Sequence, residues 1–414
     1  MSGLFAHAAD LHLGAMKDRV LREQERESLR RLIDTAIERD YDFILLSGDI
    51  FHVPVPDMET ATFATQQFMR FRETGKMIYA IYGSHDYSPT DAALIEVLEA
   101  AGVLRRVGRP EKYQGMFRPS IVRDRDGLLI TGVSARKNAL ERNYFEILDR
   151  EYLESQDGPV VFAFHSGVTE MLPQYLSGME SVPLSLFPKN LWYYAGGHIH
   201  VRYENDFPGY GRFVFPGPLS LGYGEDLERA ARGDRRGFFE VSIGSRPETR
   251  FVETGLLPMK FADIDVDSMS SEAANRKIDS ELSGLDMKGY YVIVKIHGTL
   301  SSGKTSDIDT ARIRGQVEGA GAIGVQINRH GLESREFADI RVQGTSNEEI
   351  EVNTFRENID TLKISSPELT GERGLGLALE LLRVLRVDIK PGEQKSTYEK
   401  GMLSQAKRIL GVEQ

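Results

Sequence analysis

Apolar runs in the first half of this chain repeatedly stop at a histidine or an aspartate. "LFAHAAD" (4–10) leads into Asp10 and His12, "DFILLSGD" (42–49) into Asp49 and His52, and "KMIYAIYG" (76–83) into His85 and Asp86. Further along, "PVVFAFHSG" delivers His165, and "LWYYAGGHIH" ends in His198 and His200. Each run is short enough to be a buried strand. In an open α/β sheet the loops at the carboxyl ends of the strands converge over one edge. Strands that each bring a histidine or carboxylate to that edge can build one compact polynuclear site.

The first three runs are separated by segments with helical spacing. Residues 18–40 place Leu29, Leu32, Ile33, Ala36 and Ile37 on one face; 57–74 follows, then 90–101, opened by a Thr-Asp cap. This βαβαβα order predicts right-handed crossovers and a largely parallel sheet. From about residue 128 the strands multiply, through "LLITGVSA", the two runs ending at His165 and His200, "RFVFPGPLS" and "GFFEVSI". They predict a second sheet packed against the first. The fold class is therefore α/β: a two-sheet β-sandwich flanked by helices, with a small α/β cap domain and a C-terminal helix-loop-helix. The expected domains are residues 1–255, a cap at 258–343, a polar linker at 344–365 and a helical tail at 366–414.

Composition limits what such a site can hold. The chain has 414 residues, no cysteine and a net charge of −11. Disulfides and thiolate metal sites are excluded, and a reducing cytoplasm is compatible. A metal must then rest on His, Asp, Glu, Asn or hydroxyl oxygen, which favours harder ions such as Mn²⁺ or Mg²⁺. So acidic a chain offers no broad basic surface for nucleic acid, and any DNA contact must be local, metal-bridged or shared with a partner. No run is long enough to span a membrane, and no secretory signal is recognisable at the N-terminus.

Within the pieces, Asp10 and His12 are two apart, as are His198 and His200, so an extended backbone would aim each pair to one side. Gly48 and Gly83 would let the chain turn sharply behind Asp49 and His85. His7 reads as a packed histidine beneath the site, and His297 and His330 as ordinary residues.

The ordered set D-x-H, G-D-x-F-H, G-S-H-D, H-S-G and G-H-x-H resembles the calcineurin-like metallophosphoesterases, most closely the prokaryotic Mre-eleven/SbcD type of double-strand-break repair nuclease. "FAHAADLHLG", "LLSGDIFH" and "FPGPLS" resemble that subgroup locally as well. The resemblance implies the metallophosphoesterase α/β/β/α core and two Mn²⁺ ions, with Mg²⁺ an alternative. It places metal 1 on Asp10, His12 and His200, a bridge at Asp49, and metal 2 on His165 and His198. His85 is implied as the catalytic histidine, His52 as orienting the strand, and Asp86 as supporting His85 or its loop. Two such ions about 3.5–4 Å apart clamp a phosphodiester and activate a water. Ser84 departs from the family pattern, which usually has asparagine there as a ligand of metal 2. A serine hydroxyl is a shorter and weaker donor, so metal 2 is expected to bind more loosely.

The implied activity is 3′-to-5′ exonuclease on duplex DNA and endonuclease on single strands, in double-strand-break processing. The implied partners are DNA, a second copy of the chain, and a coiled-coil ATPase of the SbcC/Rad-fifty type. Lys17 and Arg19 are candidates for phosphate contact. Phe63, Phe68, Leu94 and Leu98, with Met69 and Val103, are candidates for a homodimer bundle. The apolar tail helices, with Leu379, Leu382, Leu385 and Leu403, are candidates for ATPase docking. Two other readings stand beside this one: a small-substrate metallophosphodiesterase, and a DNA-end-binding scaffold with a weakened site. "GTLSSGKT" (298–305) matches the spacing of a phosphate-cradling loop. Aspartates follow it where triphosphate would sit, so it reads instead as a Gly-containing turn of the cap.

Overall fold

The N-terminal strand β1 (Gly3–Ala8) is followed by α1 (Arg19–Glu38), whose N-terminus is capped by Asp18 accepting from the main-chain N–H groups of Val20 and Leu21. Strand β2 (Phe43–Ser47) is buried throughout, as a strand covered on both faces must be. Then come α2 (Met58–Arg72), β3 (Met77–Ile81), α3 (Leu94–Ala100) and the short β4 (Arg105–Arg106). The computed structural model describes residues 3–88, 93–124, 127–136, 141–335, 351–353, 355–356, 359, 369–387 and 395–411. The expected Thr-Asp cap at 90–91 and most of the 344–365 linker lie outside them. Within them, α3 starts after Ala93 without a side-chain cap.

Strands β1 to β4 pair in parallel in chain order, with Phe5 opposite Phe43 and Leu45 opposite Tyr79. The second sheet contains β5 (Val122–Arg123), β6 (Leu129–Val133), β7 (Val160–His165), β8 (Tyr193–Gly197), β9 (Tyr203–Asp206) and β10 (Arg212–Phe215), in the order β9-β10-β8-β7-β6-β5. Its four inner strands are parallel and its two edges antiparallel. One strand departs from expectation. "GFFEVSI", now β11 (Gly237–Ile243), does not join the second sheet. It pairs antiparallel with β1 in the first, and β12 (Glu248–Glu253) follows as the edge.

Because side chains alternate along a strand, each sheet supplies two cores. Phe5, Phe43 and Ile81 meet Val161, Tyr193 and Val214 between the sheets. On its other face the first sheet buries Leu29, Ile33 and Phe68 of its helices, and the second covers Phe145, Leu153 and Phe187. The result is the α/β/β/α layering expected of the fold class.

The chain divides into two compact units: residues 1–261, 287–293 and 317–326, and the remainder, 262–286, 294–316 and 327–414. In the second unit, helix Ser271–Ser283, capped by Ser270, is held to Arg312 through Asp279 and Asn275. The sequence reading had not placed a helix there. The Gly-Lys-Thr turn leads into a single helical turn, Thr305–Asp307, and the Asp307 carboxylate takes the Lys304 main-chain N–H at 2.7 Å. A phosphate cradle would need that N–H for its ligand. The tail forms helices Gly371–Leu385 and Lys395–Leu410. Among the described residues, no helix is long and apolar enough to cross a membrane.

Candidate metal centre

Every parallel strand that carries a motif ends at the same edge, and the backbone there is unusual. Asp10 (φ 52°), His12 (φ 45°), Asp49 (φ 52°) and His198 (φ 88°) all occupy the left-handed region. For a residue with a Cβ this costs about 1–3 kcal/mol, and it persists only where the surroundings over-determine it. Those surroundings are hydrogen bonds between neighbouring strand ends. Asp10 N–H donates to Gly48 O (3.1 Å), His12 N–H to Asp49 O (3.0 Å), and His198 N–H to the Asp10 carboxylate (3.0 Å). Asp10 and His12 therefore converge through tight turns and not through an extended pleat, which corrects the alternation argument. Gly48 turns with φ 89°, as expected, but Gly83 serves by its missing side chain: a Cβ there would lie 2.0 Å from Asp49 Oδ1.

The donors fall into overlapping sets. Ligand atoms of Asp10, His12 and His200 lie within 4.8 Å of one another, as do those of Asp10, Asp49 and His165. His12 Nε2 stands 3.1 Å from His200 Nε2 and 3.7 Å from Asp49 Oδ2, and His165 Nε2 is 3.2 Å from Asp49 Oδ2. His198 is in neither set; its ring centroid stands 5.1 Å from that of His165. Ser84 Oγ is 3.4 Å from Asp49 Oδ2, and it lines one opening with His198 and His200.

Electrostatics suits a cation. Burial alone would raise the Asp49 carboxyl, but His165, His12 and His85 overcome that and hold it below the usual range. Burial lowers the His165 imidazole, yet the Asp49 and Asp10 carboxylates outweigh it and raise the group to about 10. Burial pushes His12 well below its ordinary value and His198 to about 3. The positive charge that the carboxylates draw onto His165 is charge a divalent ion would supply, and with that proton displaced the imidazoles and carboxylates are donor types of a hard or borderline ion. His165 Nε2 makes no well-aligned hydrogen bond but faces the Asp49 and Asp10 carboxylates at 3.2 and 4.0 Å, as a ligand aimed at an ion held with them would.

His85 stands at the side. Its Nδ1 is 2.8 Å from the His52 carbonyl, which can only accept, so Nδ1 carries hydrogen and Nε2 is left as the working nitrogen. Its own main-chain N–H donates to Asp49 Oδ1 at 2.8 Å. Ligand atoms of His12, His52 and His85 form a third close set. Asp86 belongs to none of the close donor sets: it accepts from the main-chain N–H groups of Ile50, Phe51 and Gly83, tying the second loop to the third. His7 is packed below, bonded to Tyr193 and Ser47, and burial lowers it to about 3.

The sequence reading missed Tyr223, Asp226 and Arg236. Asp226 Oδ2 lies 2.5 Å from His200 Nδ1, orienting that ring, and buried Arg236 donates to the Asp226 carbonyl at 3.1 Å. Tyr223 reaches His85 Nε2 at 3.3 Å. Their only local signal is the paired glycines in "LGYGED", which a turn alone would explain.

Exposed Lys17 and Arg19 line a groove of their own with Arg22, Gln24 and Arg26 and with the carboxylates of Glu23, Glu27 and Glu59. The groove's loop is held by buried Glu25, which accepts from Gly14 N–H (3.3 Å) and Met16 N–H (3.1 Å). Burial raises its carboxyl to about 7, against those two bonds. A carboxyl raised on folding stabilises fully below its ordinary 4.5, and that contribution is lost as pH climbs towards 7. Glu25→Gln is accordingly expected to flatten the fall in stability between these values, as read by urea unfolding at a series of pH values. An unchanged pH slope would refute it.

The dimer candidates need correction. Phe68 (1% exposed), Leu98 (2%) and Val103 (2%) are inside the chain's own core, and Phe63 and Leu94 pack against it. Of the candidates, Met69 does lie at the surface, where Met58 and Val97 are the other exposed apolar side chains of these helices. In the tail, Leu379 and Leu382 are half-buried, whereas Leu385 and Leu403 are exposed.

Residues 3–202 match the calcineurin-like phosphoesterase family, and this part of the chain is a metallophosphoesterase domain of that class. Within the class the chain is Mre11-like. It is 26% identical over 330 residues to the DNA double-strand break repair protein Mre11 of Archaeoglobus fulgidus, covering 75% of this chain and 72% of that protein. Identity to the Mre11 of Methanopyrus kandleri is 29%, covering 60% of this chain and 56% of that one. The metallophosphoesterase YhaO of Bacillus subtilis is 32% identical, across 48% of each chain. Against the last two, the match spans about half of the relative's length.

Proposed function

We propose that this protein is a DNA phosphodiesterase that takes two divalent cations, Mn²⁺ by preference, and processes double-strand breaks. Its activities are 3′-to-5′ exonuclease on duplex ends and endonuclease on single strands. The observation that carries the reading is that two donor sets, Asp10–His12–His200 and Asp10–Asp49–His165, meet at Asp10, with His85 outside both. Asp10, His12 and His200 would hold one ion; His165, His198 and Ser84 the other; Asp49 both. The ions would supply charge neutralisation on the phosphodiester and an acidified water. The chain's own residues do the rest. Asp226 and the Ser47 carbonyl fix the His200 and His165 rings, Asp86 locks the loops, and protonated His85 gives its Nε2 proton to the leaving oxygen as the P–O bond breaks.

Residues 1–255 are the catalytic body in this reading, with 258–343 a DNA-facing cap, 344–365 a linker and 366–414 the dock for an SbcC/Rad-fifty-type ATPase. A homodimer and a cytoplasmic location belong to the same reading, and similarity to Mre11 proteins supports it. The test is cleavage of end-labelled duplex and single-stranded DNA in Mn²⁺, beside turnover of bis(p-nitrophenyl) phosphate. Cutting of both DNAs supports it. Turnover of the small ester with intact DNA would replace it by a small-substrate phosphodiesterase, and DNA binding without any cutting by a scaffold.

Ser84 bears on the second ion. Ser84→Asn is expected to tighten the weaker Mn²⁺ site about tenfold, the lower end of what one supporting contact to a metal is worth. Calorimetric Mn²⁺ titration reads it, and superimposable curves would place Ser84 outside the coordination sphere.

A further inference from the structure

The segment Leu221–Asp226 is built around its tyrosine. Gly222 (φ 71°) and Gly224 (φ 59°) both take positive φ, which disfavours residues with a side chain, and a Cβ at Gly222 would collide with Asp226 Oδ2 at 2.5 Å. That same Asp226 carboxylate accepts from Tyr223 N–H at 3.4 Å while bonding His200 Nδ1. The turn is thus anchored on the metal centre itself. It sets the Tyr223 ring among four imidazoles, with centroids 4.8 Å from His12, 5.1 Å from His52, 5.5 Å from His85 and 5.6 Å from His200. The hydroxyl ends 3.3 Å from His85 Nε2, and the side remains 37% exposed at the mouth of the site.

We propose that Tyr223 is a positioning residue for His85, holding its Nε2 in line for the leaving oxygen through the phenol hydroxyl. This rests on the reading of His85 given above. The tautomer makes the contact workable in both protonation states. With Nδ1–H committed to the His52 carbonyl, neutral Nε2 accepts from the tyrosine O–H, and protonated Nε2 donates to the tyrosine oxygen. The hydrogen bond therefore keeps the ring oriented before and after it gives up its proton. Without it, the imidazole retains its Nδ1 bond but can rotate about that bond's axis. Leaving groups differ in how much they need this help: a sugar oxygen must be protonated as it departs, whereas p-nitrophenolate is stable without a proton. A residue that acts through the proton donor must therefore matter more for DNA than for bis(p-nitrophenyl) phosphate.

The experiment compares Tyr223→Phe and His85→Gln with the unaltered full chain in Mn²⁺, on both substrates, with metal affinity by calorimetry and thermal melts as controls. Tyr223→Phe keeps the ring and its packing. It is expected to lower kcat on DNA about tenfold, a part of the 10²–10⁴ that a positioned acid supplies, with KM little changed. Its loss on the small ester should be several-fold smaller, and His85→Gln should show the same contrast more strongly. Equal losses on the two substrates, or no loss on DNA, would overturn the positioning role even while His85→Gln keeps the contrast. If His85→Gln cuts DNA normally, it is the underlying assignment of His85 that falls, and the role of Tyr223 falls with it.

Discussion

His85→Ser is expected to reduce DNA cleavage by about 10²–10⁴-fold, the contribution of a positioned general acid, while leaving Mn²⁺ binding intact. The two consequences separate because His85 makes two unrelated contacts. Its main-chain N–H donates to Asp49 Oδ1 at 2.8 Å, and that bond survives any side-chain change. The Asp49 carboxylate, a member of the Asp10–Asp49–His165 set, therefore keeps its place. What is removed is the imidazole, which lies outside the Asp10–His12–His200 and Asp10–Asp49–His165 sets. It does lie close to His12 and His52, and this allows a contrary outcome. If calorimetry shows the variant short of one Mn²⁺, His85 is a ligand and not an acid. Cleavage at the unaltered rate would remove it from the chemistry altogether.

Gly83→Ala should do the opposite: damage the metal centre and the fold together, two residues away from His85. The Cβ of an alanine there would sit 2.0 Å from Asp49 Oδ1, a buried oxygen held by His85 N–H, and 2.1 Å from the Asp49 main-chain nitrogen. Either the third loop or the second must shift, and Asp86 bonds both, through Gly83 N–H and through the main-chain N–H groups of Ile50 and Phe51. We expect a loss of about 3 kcal/mol, at the upper end of overpacking, together with loss of Mn²⁺ binding. Gly178→Ala is the control, since a Cβ there meets nothing within 4 Å. Denaturant unfolding of the two variants decides it. Equal stability of Gly83→Ala and Gly178→Ala would mean that the close approach of the two loops is not tightly held.

The residues alone disclosed the parts of this molecule governed by near neighbours. Hydrophobic spacing of 2 or 3.6 residues reports which local structure buries an apolar face, and it located β1, α1, β2, α2 and β3. Chain order of strand and helix implied parallel pairing in the first sheet. Because an apolar run must end where its strand leaves the core, Asp10, Asp49, His85, His165 and His198 stood out as strand-end residues. Local pattern is silent on partners distant in the chain. Strand β11 looks like its predecessors in the sequence, yet its hydrogen bonds go to β1, over 200 residues earlier. The same holds for burial: Phe68 and Leu98 have the spacing of an exposed apolar stripe, and only the packing of α2 and α3 on the sheet encloses them.

At the site, tertiary structure decided the backbone as well as the neighbours. Nothing in "ADLH" or "SGD" announces a left-handed aspartate, because that conformation is unfavourable locally and is held by bonds from adjacent strand ends. Tyr223 and Asp226, nearly 140 residues from His85 and some 25 from His200, have no motif to mark them. They enter the site because two glycine turns fold their segment back over it. Ligand identity could be read as a list of residue types at strand ends. Which of them converge, at what angle and with what support is settled by contacts between strands, and no single stretch of sequence contains those contacts.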